Sequence, residues 1–481
     1  MIPILQDIYM AVMKPFIKPS NKLNQRTKNI LMISCFLLIV LVFCFARIMR
    51  RNDYHNYFSL AGCVFLFFIA VLSLEEELKP IQWSKPITYS WISLCLIMIA
   101  SDFKVTKVFS MIGYIFLFVF STVFFVWNNS SKKDILWGNF VAAVRISFLV
   151  ITFLSFLFRP RIENFRYPGT FINPNMFGLY LIFVFVIYLI YLDDRIQKKS
   201  SILRCIGLFV EMGFGAFLLF MTQARTSFMA VAVAGAVWFF IRTHQYRKEK
   251  KIIFFAKYIL VLGCTVILCF PVAYQLLQTL PNLINHPITY EKDQYYALGE
   301  MYEYGVVAKA AELTQETLST NVVSTQEPTE QETIETDNTN PFSRFISSLQ
   351  GASLDQISSN RLSIYKRYMA KLNLSGHEKL SIKMDGVTIP HAHNNLLQFG
   401  FSYGYLAMIP YGLLNLFAFV RSIQYFRKKD GKSVYAFLPM GIVIAFSVAT
   451  LAEAIFLPFQ CFPGFVYWFI IGALLPKELG R

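Results

Sequence analysis

Three short polar segments interrupt an otherwise apolar chain and hold the side chains best suited to chemistry. Arginine stays charged at physiological pH, and its planar fork matches phosphate oxygens. Histidine titrates near neutrality and accepts a proton from a hydroxyl group. Arginines beside a histidine therefore suit group transfer from a diphosphate, whose developing charge the arginines would stabilise. The candidates are Arg159, Arg161, Arg166, Asn173 and Asn175 in residues 159–175, Arg225 in residues 222–226, and His391, His393 and Asn394 in residues 390–398.

Each segment also has a purely structural interpretation. Arginines at a membrane surface extend to lipid phosphates. Asn173 followed by Pro174 is typical of a helix N-cap and first turn, and we expect this capping in either case. The His391-x-His393 pair could hold a metal, but the flanking sequence offers no Asp, Glu or Cys as a third ligand. We therefore predict no metal and no other cofactor.

The composition indicates where these segments must lie. The chain has 481 residues, is 56% apolar and 15% charged, and has a mean hydropathy of +0.49. Soluble globular proteins are about 45–50% apolar and about 25% charged. These values exclude a disordered chain, a secreted disulfide scaffold and an ordinary soluble enzyme. The eight cysteines lie in or beside apolar runs without a CxxC pair, so no disulfide framework is predicted.

Apolar runs of about 20 residues, enough to cross about 30 Å of hydrocarbon, recur along the chain. We predict an all-α polytopic membrane protein with about twelve transmembrane helices and one large extracytoplasmic loop that contains short helices. The predicted spans lie near residues 29–48, 57–74, 87–103, 105–127, 135–158, 173–192, 203–222, 226–241, 252–273, 396–420, 433–452 and 460–476.

The spans and the polar segments divide the chain into five regions. They are a cytoplasmic tail (1–28), N-terminal transmembrane helices (29–158), central helices with the GTFINPN and QART motifs (159–273), the large extracytoplasmic loop (274–390) and C-terminal helices with the HAHNN motif (391–481).

The large loop has two unlike parts. Residues 312–340 hold seven acidic side chains, eight threonines and no Lys or Arg, which is the composition of a disordered linker. Residues 341–372 place apolar side chains at helical spacing and predict one or two short helices on the outer membrane surface. These helices are either interfacial only or a cap over an outward-facing cavity. Their predicted apolar face is Ile364, Tyr365, Tyr368, Met369 and Leu372.

The net charge of +16 predicts the orientation rather than a partner. In a soluble protein it would suggest nucleic acid, whereas in a membrane protein it reflects the positive-inside bias. The large loop carries nine basic and fourteen acidic side chains, a net charge of −5, which leaves +21 on the rest of the chain. Most of this excess falls in turns on one predicted side. We therefore place both termini in the cytoplasm and the polar segments outside, although Arg47, Arg50, Arg51 and Glu75–Glu77 oppose this assignment.

Arg145 lies inside an apolar span, where a charge costs about 2.5–3.5 kcal/mol at the helix centre. It should face the bundle or a cavity, with Glu211 as its partner. The pair is either structural or functional.

In their order and spacing, the polar segments resemble the O-antigen ligase / O-antigen polymerase superfamily of bacterial envelope enzymes. Its members share a G-T-F-x-N-P-N-type segment, an Arg-bearing turn, a large periplasmic loop and an H-x-H-N-x-x-L-Q segment. The matching parts here are Gly169–Asn175, Ala224-Arg225, residues 274–390 and His391–Gln398. The resemblance covers roughly residues 159–406, about half of the chain. This sequence departs from the pattern at Ala224, where serine is usual, and at Ser402, where glutamate is frequent.

The resemblance implies a metal-independent transferase of undecaprenyl-diphosphate-linked oligosaccharide in the bacterial cytoplasmic membrane, with an extracytoplasmic active site. Its partners would be the lipid-linked donor, a glycan or lipid acceptor, the bilayer and other polysaccharide-assembly proteins, but not nucleic acid. By the family pattern, Arg225 and Arg361 grip the diphosphate and His393 activates the acceptor hydroxyl, with His391 in reserve. The remaining predicted substrate contacts are Arg159, Arg161, Arg166, Asn173, Asn175 and Asn394.

The resemblance leaves the choice between ligase and polymerase open. The Ile-, Lys- and Phe-rich composition suggests a low-GC organism, which weakly favours a polymerase or a ligase for cell-surface polysaccharide such as capsule or exopolysaccharide. A transporter or flippase for lipid-linked oligosaccharide is the main alternative, and it predicts charges along a through-path and repeated halves. A non-catalytic sensor is a third, but it would not explain arginines at two separate turns.

Overall fold

A computed structural model describes residues 2–46, 55–74, 84–105, 112–129, 133–159, 166–171, 173–284, 361–384, 387–455 and 462–476. This part of the chain is mostly helical, as the apolar runs predict, and contains one antiparallel hairpin. The helices are α1 (Ile2–Lys22), α2 (Gln25–Ala46), α3 (His55–Leu72), α4 (Lys85–Lys104), α5 (Ile112–Asn129), α6 (Lys133–Phe158), α7 (Pro174–Gln197), α8 (Ile206–Thr222), α9 (Arg225–Lys248), α10 (Ile252–Thr279), α11 (Arg361–Ala370), α12 (Asn395–Tyr403), α13 (Met408–Lys429), α14 (Leu438–Thr450) and α15 (Phe462–Leu474). The strands are β1 (Ile382–Met384) and β2 (Val387–Ile389).

Seven helical stretches in the described part are long and apolar enough to cross a membrane. They are Lys85–Lys104, Lys133–Phe158, Pro174–Gln197, Ile202–Thr222, Arg225–Lys248, Ile252–Ile284 and Tyr405–Lys429. Shorter apolar helices occur at Leu60–Leu72, Ile112–Asn128, Leu438–Thr450 and Phe462–Leu474. The all-α membrane architecture therefore agrees with the prediction, while the number of twelve spans stays a prediction.

The predicted span 396–420 is divided into α12 and α13 at Gly404. This residue has a φ of +91°, and a Cβ atom there would collide with the carbonyl oxygen of Leu374. Only glycine tolerates both the backbone conformation and the close approach. Hydropathy is continuous across this point, so the apolar pattern alone did not predict the break.

The C-terminal helix α15 forms part of the bundle core. All of its residues are buried, which explains why it is apolar on every side. Trp468 packs against Trp91 of α4 with ring centroids 4.9 Å apart, and Trp127 of α5 donates a hydrogen bond of 2.8 Å to the Phe469 carbonyl.

Polar contacts gather several helix ends at one end of the bundle. Arg242 of α9 pairs with Asp193 of α7 at 2.6 Å and with Asp430, just after α13, at 2.7 Å. Ser433 donates a hydrogen bond of 2.8 Å to Asp134 at the start of α6. The basic turns lie here, and we call it the basic end. Because α7 and α9 run through the bundle, the loops that precede them lie at the opposite end, which we call the motif end.

The predicted pairing of Arg145 with Glu211 is confirmed. Nε and Nη2 of Arg145, on α6, donate hydrogen bonds of 2.7 and 2.6 Å to the two carboxylate oxygens of Glu211, on α8. Tyr188 of α7 donates a third hydrogen bond to Glu211, at 2.9 Å. The pair therefore links three helices within the apolar bundle.

Helix α11, the hairpin and α12 share a small apolar cluster beside the main core. Ile364 and Tyr368 are buried in it, as predicted, but Met369 is 58% exposed and does not belong to the packed face. The reason is that α11 packs against α12, so its contact face is narrower than a flat membrane surface would require. Residues 285–360, with the predicted linker 312–340 and most of the predicted helical segment, lie outside the described residues.

Candidate functional site

The glycine of the G-T-F segment fixes the loop that enters α7. Gly169 has a φ of +54°, and a Cβ atom there would lie 2.7 Å from Ser155 Oγ and 2.8 Å from the Phe177 ring. Arg159 is only 3% exposed and donates a hydrogen bond of 2.9 Å from Nε to the Gly169 carbonyl. This burial favours a loop-positioning role for Arg159 over the predicted substrate contact.

The rest of this loop joins α7 to the end of α8. Asn173 accepts a hydrogen bond of 2.7 Å from the Asn175 backbone, which confirms that it is the N-cap of α7. Arg166 donates from Nη2 to Asn175 Oδ1 at 2.6 Å and from Nε to the Thr222 carbonyl at 2.9 Å. Two of the predicted contacts, Arg166 and Asn175, are thus brought together. Arg161 lies outside the described residues.

The turn between α8 and α9 places Arg225 at the first position of α9. Gln223 makes the turn in a left-handed conformation, with a φ of 50°. Ala224 is buried. A Cβ atom added to Gly178 of α7 would lie 2.9 Å from the Cβ atom of Ala224. Ala224, where the family that the sequence resembles usually has serine, therefore lies where α7 packs tightly against the start of α9.

Arg361, the first residue of α11, reaches across to two other parts of the chain. Its Nη1 atom donates a hydrogen bond of 2.9 Å to Thr226 Oγ1, next to Arg225. Its Nη2 atom forms an ion pair of 2.6 Å with Oε1 of Glu453, which follows α14. Arg361 and the Arg225 turn, which the sequence predicted to act together, therefore lie at one site.

The His-x-His-Asn segment is attached to the same region. Asn394 caps α12 by accepting a hydrogen bond of 3.0 Å from the Leu397 backbone, and its Nδ2 atom donates to the Leu451 carbonyl at 3.2 Å. Tyr365 of α11 donates to the carbonyls of His393 at 3.1 Å and Leu451 at 2.6 Å. Both polar groups of Asn394 are engaged, which favours a positioning role over direct contact with substrate.

His393 itself has a left-handed backbone, with a φ of 50°. This conformation costs a residue other than glycine about 1–2 kcal/mol. The contacts of Tyr365 and Asn394 hold the segment in this shape. Strained residues of this kind cluster at functional sites, where the surrounding structure fixes a side chain in one orientation.

Glu453 links the histidines to the arginines. Its Oε2 atom lies 3.6 Å from His393 Nδ1, while Oε1 holds Arg361. The His391 and His393 rings are in contact, with centroids 4.2 Å apart. Burial of the Glu453 carboxyl opposes its ionisation, but the nearby side chains of His393, Arg361 and His391 favour the carboxylate, outweigh burial and hold its pKa below the ordinary value.

Sequence reasoning missed Glu453. It stands in the apolar stretch Leu451-Ala452-Glu453-Ala454-Ile455, and an acidic residue in such a place is itself a weak signal of function. Glu453 supplies the carboxylate that the sequence around the histidines lacks. Even so, the described part of the chain holds no group of three His, Cys, Asp or Glu side chains arranged to bind a metal ion.

The charges of Arg225 and Arg361 affect the pKa of Arg166. Burial lowers the pKa of Arg166, Glu453 raises it, and the charges of Arg225 and Arg361 lower it further. Like charges exert such an effect at short range. Arg166, Arg225, Arg361 and His393 therefore gather around the buried Glu453 carboxylate at the motif end, and we call these five residues the motif-end site.

Ser402 is the other position at which the sequence differs from the family that it resembles, and it lies among the contacts that hold the histidine segment. Ser402 is buried on α12, and its hydroxyl accepts a hydrogen bond of 3.0 Å from Gln398 Nε2. The Gln398 side-chain oxygen accepts a hydrogen bond of 2.6 Å from the Ala392 backbone. Ser402 therefore helps to orient the Gln398 side chain, and Gln398 in turn holds the backbone of Ala392, between His391 and His393.

Comparison of the chain with models of known protein families finds no match, and a search of curated proteins finds none either. The functional assignment depends on the motifs and on the geometry of the motif-end site.

Proposed function

We propose that this protein is a membrane glycosyltransferase that transfers or polymerises an undecaprenyl-diphosphate-linked oligosaccharide on the outer face of the bacterial cytoplasmic membrane, in the synthesis of cell-surface polysaccharide. One observation carries the proposal. The bridge from Arg361 through Glu453 to His393 connects an anion-binding group to a proton acceptor. These residues come from three separate parts of the chain, and this arrangement suits a reaction that needs both groups at once.

The arginines suit the diphosphate of the donor. The motif-end site holds three guanidinium groups, from Arg166, Arg225 and Arg361, and the single carboxylate of Glu453. The surplus of positive charge matches a diphosphate, and guanidinium forks bind its oxygens through charge-assisted hydrogen bonds. When the donor binds, Arg361 would exchange its contact with Glu453 for a phosphate oxygen.

His393 suits the acceptor. The reaction forms a bond between the acceptor oxygen and the anomeric carbon of the donor sugar, and it breaks the bond from that carbon to the diphosphate oxygen. The acceptor proton passes to His393, and undecaprenyl diphosphate leaves with its charge stabilised by the arginines. Glu453, 3.6 Å from His393 Nδ1, would stabilise the imidazolium that forms and keep the ring oriented.

The arrangement of the helices supports an extracytoplasmic site. The motif-end site lies opposite the basic end, where Arg242 pairs with Asp193 and Asp430. Basic turns favour the cytoplasmic side. The donor, which is anchored by its polyprenyl chain, would therefore meet the site from the outer leaflet.

The proposal is tested in vitro with purified protein, undecaprenyl-diphosphate oligosaccharide and acceptor in the presence of EDTA. We expect a longer or transferred glycan from the unaltered protein and a rate at least about tenfold lower from Arg225→Ala and from His393→Ala at subsaturating donor. Lys366→Ala, which removes an exposed charge from α11, is the matched control and should retain activity. Product formed at the unaltered rate by both site variants would overturn the site assignment.

The same assay separates the related activities. Product that remains linked to the carrier and grows in repeats identifies a polymerase, whereas glycan on a second acceptor identifies a ligase. Movement of the labelled donor across the bilayer without any new glycosidic bond would instead favour a flippase.

A further inference from the structure

The N-terminal segment, predicted as a cytoplasmic tail, forms the 21-residue helix α1. At 1.5 Å per residue it is long enough to cross the hydrocarbon. It is nevertheless not among the helices apolar enough to do so, since it carries Asp7, Lys14, Lys18 and Lys22. Its length and polarity are instead those of a helix that lies at a membrane surface.

Two aromatic contacts fix the position of α1 on the bundle. Tyr9 stacks on Phe125 of α5 with ring centroids 3.6 Å apart, and Phe16 packs edge-on against Phe67 of α3 at 5.5 Å. Phe125 and Phe67 both lie near the C-terminal ends of their helices. Helix α5 leads to the start of α6, which belongs to the basic end. Helix α1 therefore packs against the ends of two helices at the basic end.

The side of α1 that faces away from the bundle changes character along its length. In the first half most of the exposed side chains are apolar: Ile4, Ile8 and Val12 are 61%, 55% and 49% exposed, and Asp7 is the exposed acidic exception. In the second half all the exposed charged side chains are basic: Lys14, Lys18 and Lys22 recur every four residues. An apolar strip followed by a lysine strip fits acyl chains on one side and anionic headgroups on the other.

We propose that α1 is a lipid-binding surface that holds anionic phospholipid at the basic end of the bundle. Ile4, Ile8 and Val12 lie among the acyl chains, and Lys14, Lys18 and Lys22 contact the lipid phosphates. The argument concerns the end of the molecule opposite the motif-end site, so it does not depend on the proposed transferase activity.

The test uses the full chain in vesicles of equimolar phosphatidylglycerol and phosphatidylcholine. Val12 is replaced by the photoreactive benzoylphenylalanine, and cross-linked lipids are identified by mass. We expect lipid adducts with at least a threefold preference for phosphatidylglycerol. The matched control carries the same group at Met13, which is 1% exposed, and should cross-link to the protein only.

The lysines are tested in the same vesicles. Lys14→Gln/Lys18→Gln/Lys22→Gln should bring the two lipids to equal yield while adducts at position 12 persist. A second measurement needs no lysine substitution: about 1 M salt should abolish the preference, because the screening length falls to about 3 Å. Absence of lipid adducts at position 12, or a preference that survives both lysine removal and salt, would overturn the proposal.

Discussion

Arg361 and Glu453 form a 2.6 Å ion pair between residues 92 positions apart in the sequence. The pair joins the first turn of α11 to the segment after α14. Because the other Glu453 oxygen lies 3.6 Å from His393, the same carboxylate serves both halves of the motif-end site. Removing this carboxylate should disturb the proposed donor and acceptor chemistry together.

Glu453→Gln is therefore expected to lower transfer activity and stability at neutral pH. The loss of a charge-assisted contact to Arg361 should cost about 1.5–3 kcal/mol of unfolding free energy. The pKa of Glu453 is held below its ordinary value of 4.5, so its stabilising effect is complete above pH 4.5 and disappears as the pH falls through the lower folded-state pKa. Thermal unfolding of both proteins from pH 7 to pH 3 should show a difference that shrinks toward acid. A difference that grows toward acid would contradict the assignment.

His393→Ala should reduce turnover about 10²–10⁴-fold, which is the usual contribution of a positioned proton acceptor. Donor binding should change little, because the arginines remain. Steady-state rates and donor titration measure the two effects separately. His391→Ala is the paired comparison, and a larger loss there would exchange the roles of the two histidines.

Arg225→Ala should weaken donor binding about 10- to 100-fold, the equivalent of one charge-assisted hydrogen bond. Arg225→Lys keeps the charge but not the planar fork, so it should recover only part of this loss. Binding of undecaprenyl diphosphate is measured by titration calorimetry in detergent. Equal affinity of all three proteins would exclude Arg225 from the diphosphate site.

Gly169→Ala should lower the free energy of unfolding by about 1–3 kcal/mol, because the new Cβ atom meets Ser155 and the backbone is left-handed. Gly235→Ala on α9 is the matched control, since a Cβ atom there has no neighbour within 4 Å. That change should be neutral or stabilising, as alanine favours helix. Thermal unfolding compares the two, and equal effects would show that the loop geometry is not required.

Arg145 and Glu211 offer a test within the bundle. Arg145→Met and Glu211→Gln should each destabilise the protein, and the double variant should be more stable than the sum of the two losses predicts. The expected coupling is about 0.5–2 kcal/mol, the range of polar contacts between membrane helices. A double-mutant cycle by chemical unfolding measures it. Strict additivity would show that the ion pair contributes nothing beyond the separate side chains.

Several features follow from the sequence because their physical cause is local. Apolar runs specify helices in lipid, since each backbone polar group must find its partner within the same helix. Asn173 is an N-cap because Pro174 lacks a backbone donor and Asn175 supplies one to the Asn173 side chain. The Arg145–Glu211 pair is predictable because a charge inside an apolar span requires an opposite charge nearby.

Other features depend on contacts between distant parts of the chain, and only the tertiary structure reveals them. The break at Gly404 reflects the close approach of the Leu374 carbonyl, and the position of α1 depends on ring contacts with α3 and α5. Glu453 became part of the site for the same reason. Its sequence neighbours are apolar, and only the packing of α11 beside the end of α14 brings Arg361 and His393 to it. The sequence by itself identified the arginines and histidines of the proposed diphosphate site, whereas the buried carboxylate that joins Arg361 to His393 required the folded chain, because ion pairing depends on distance in space.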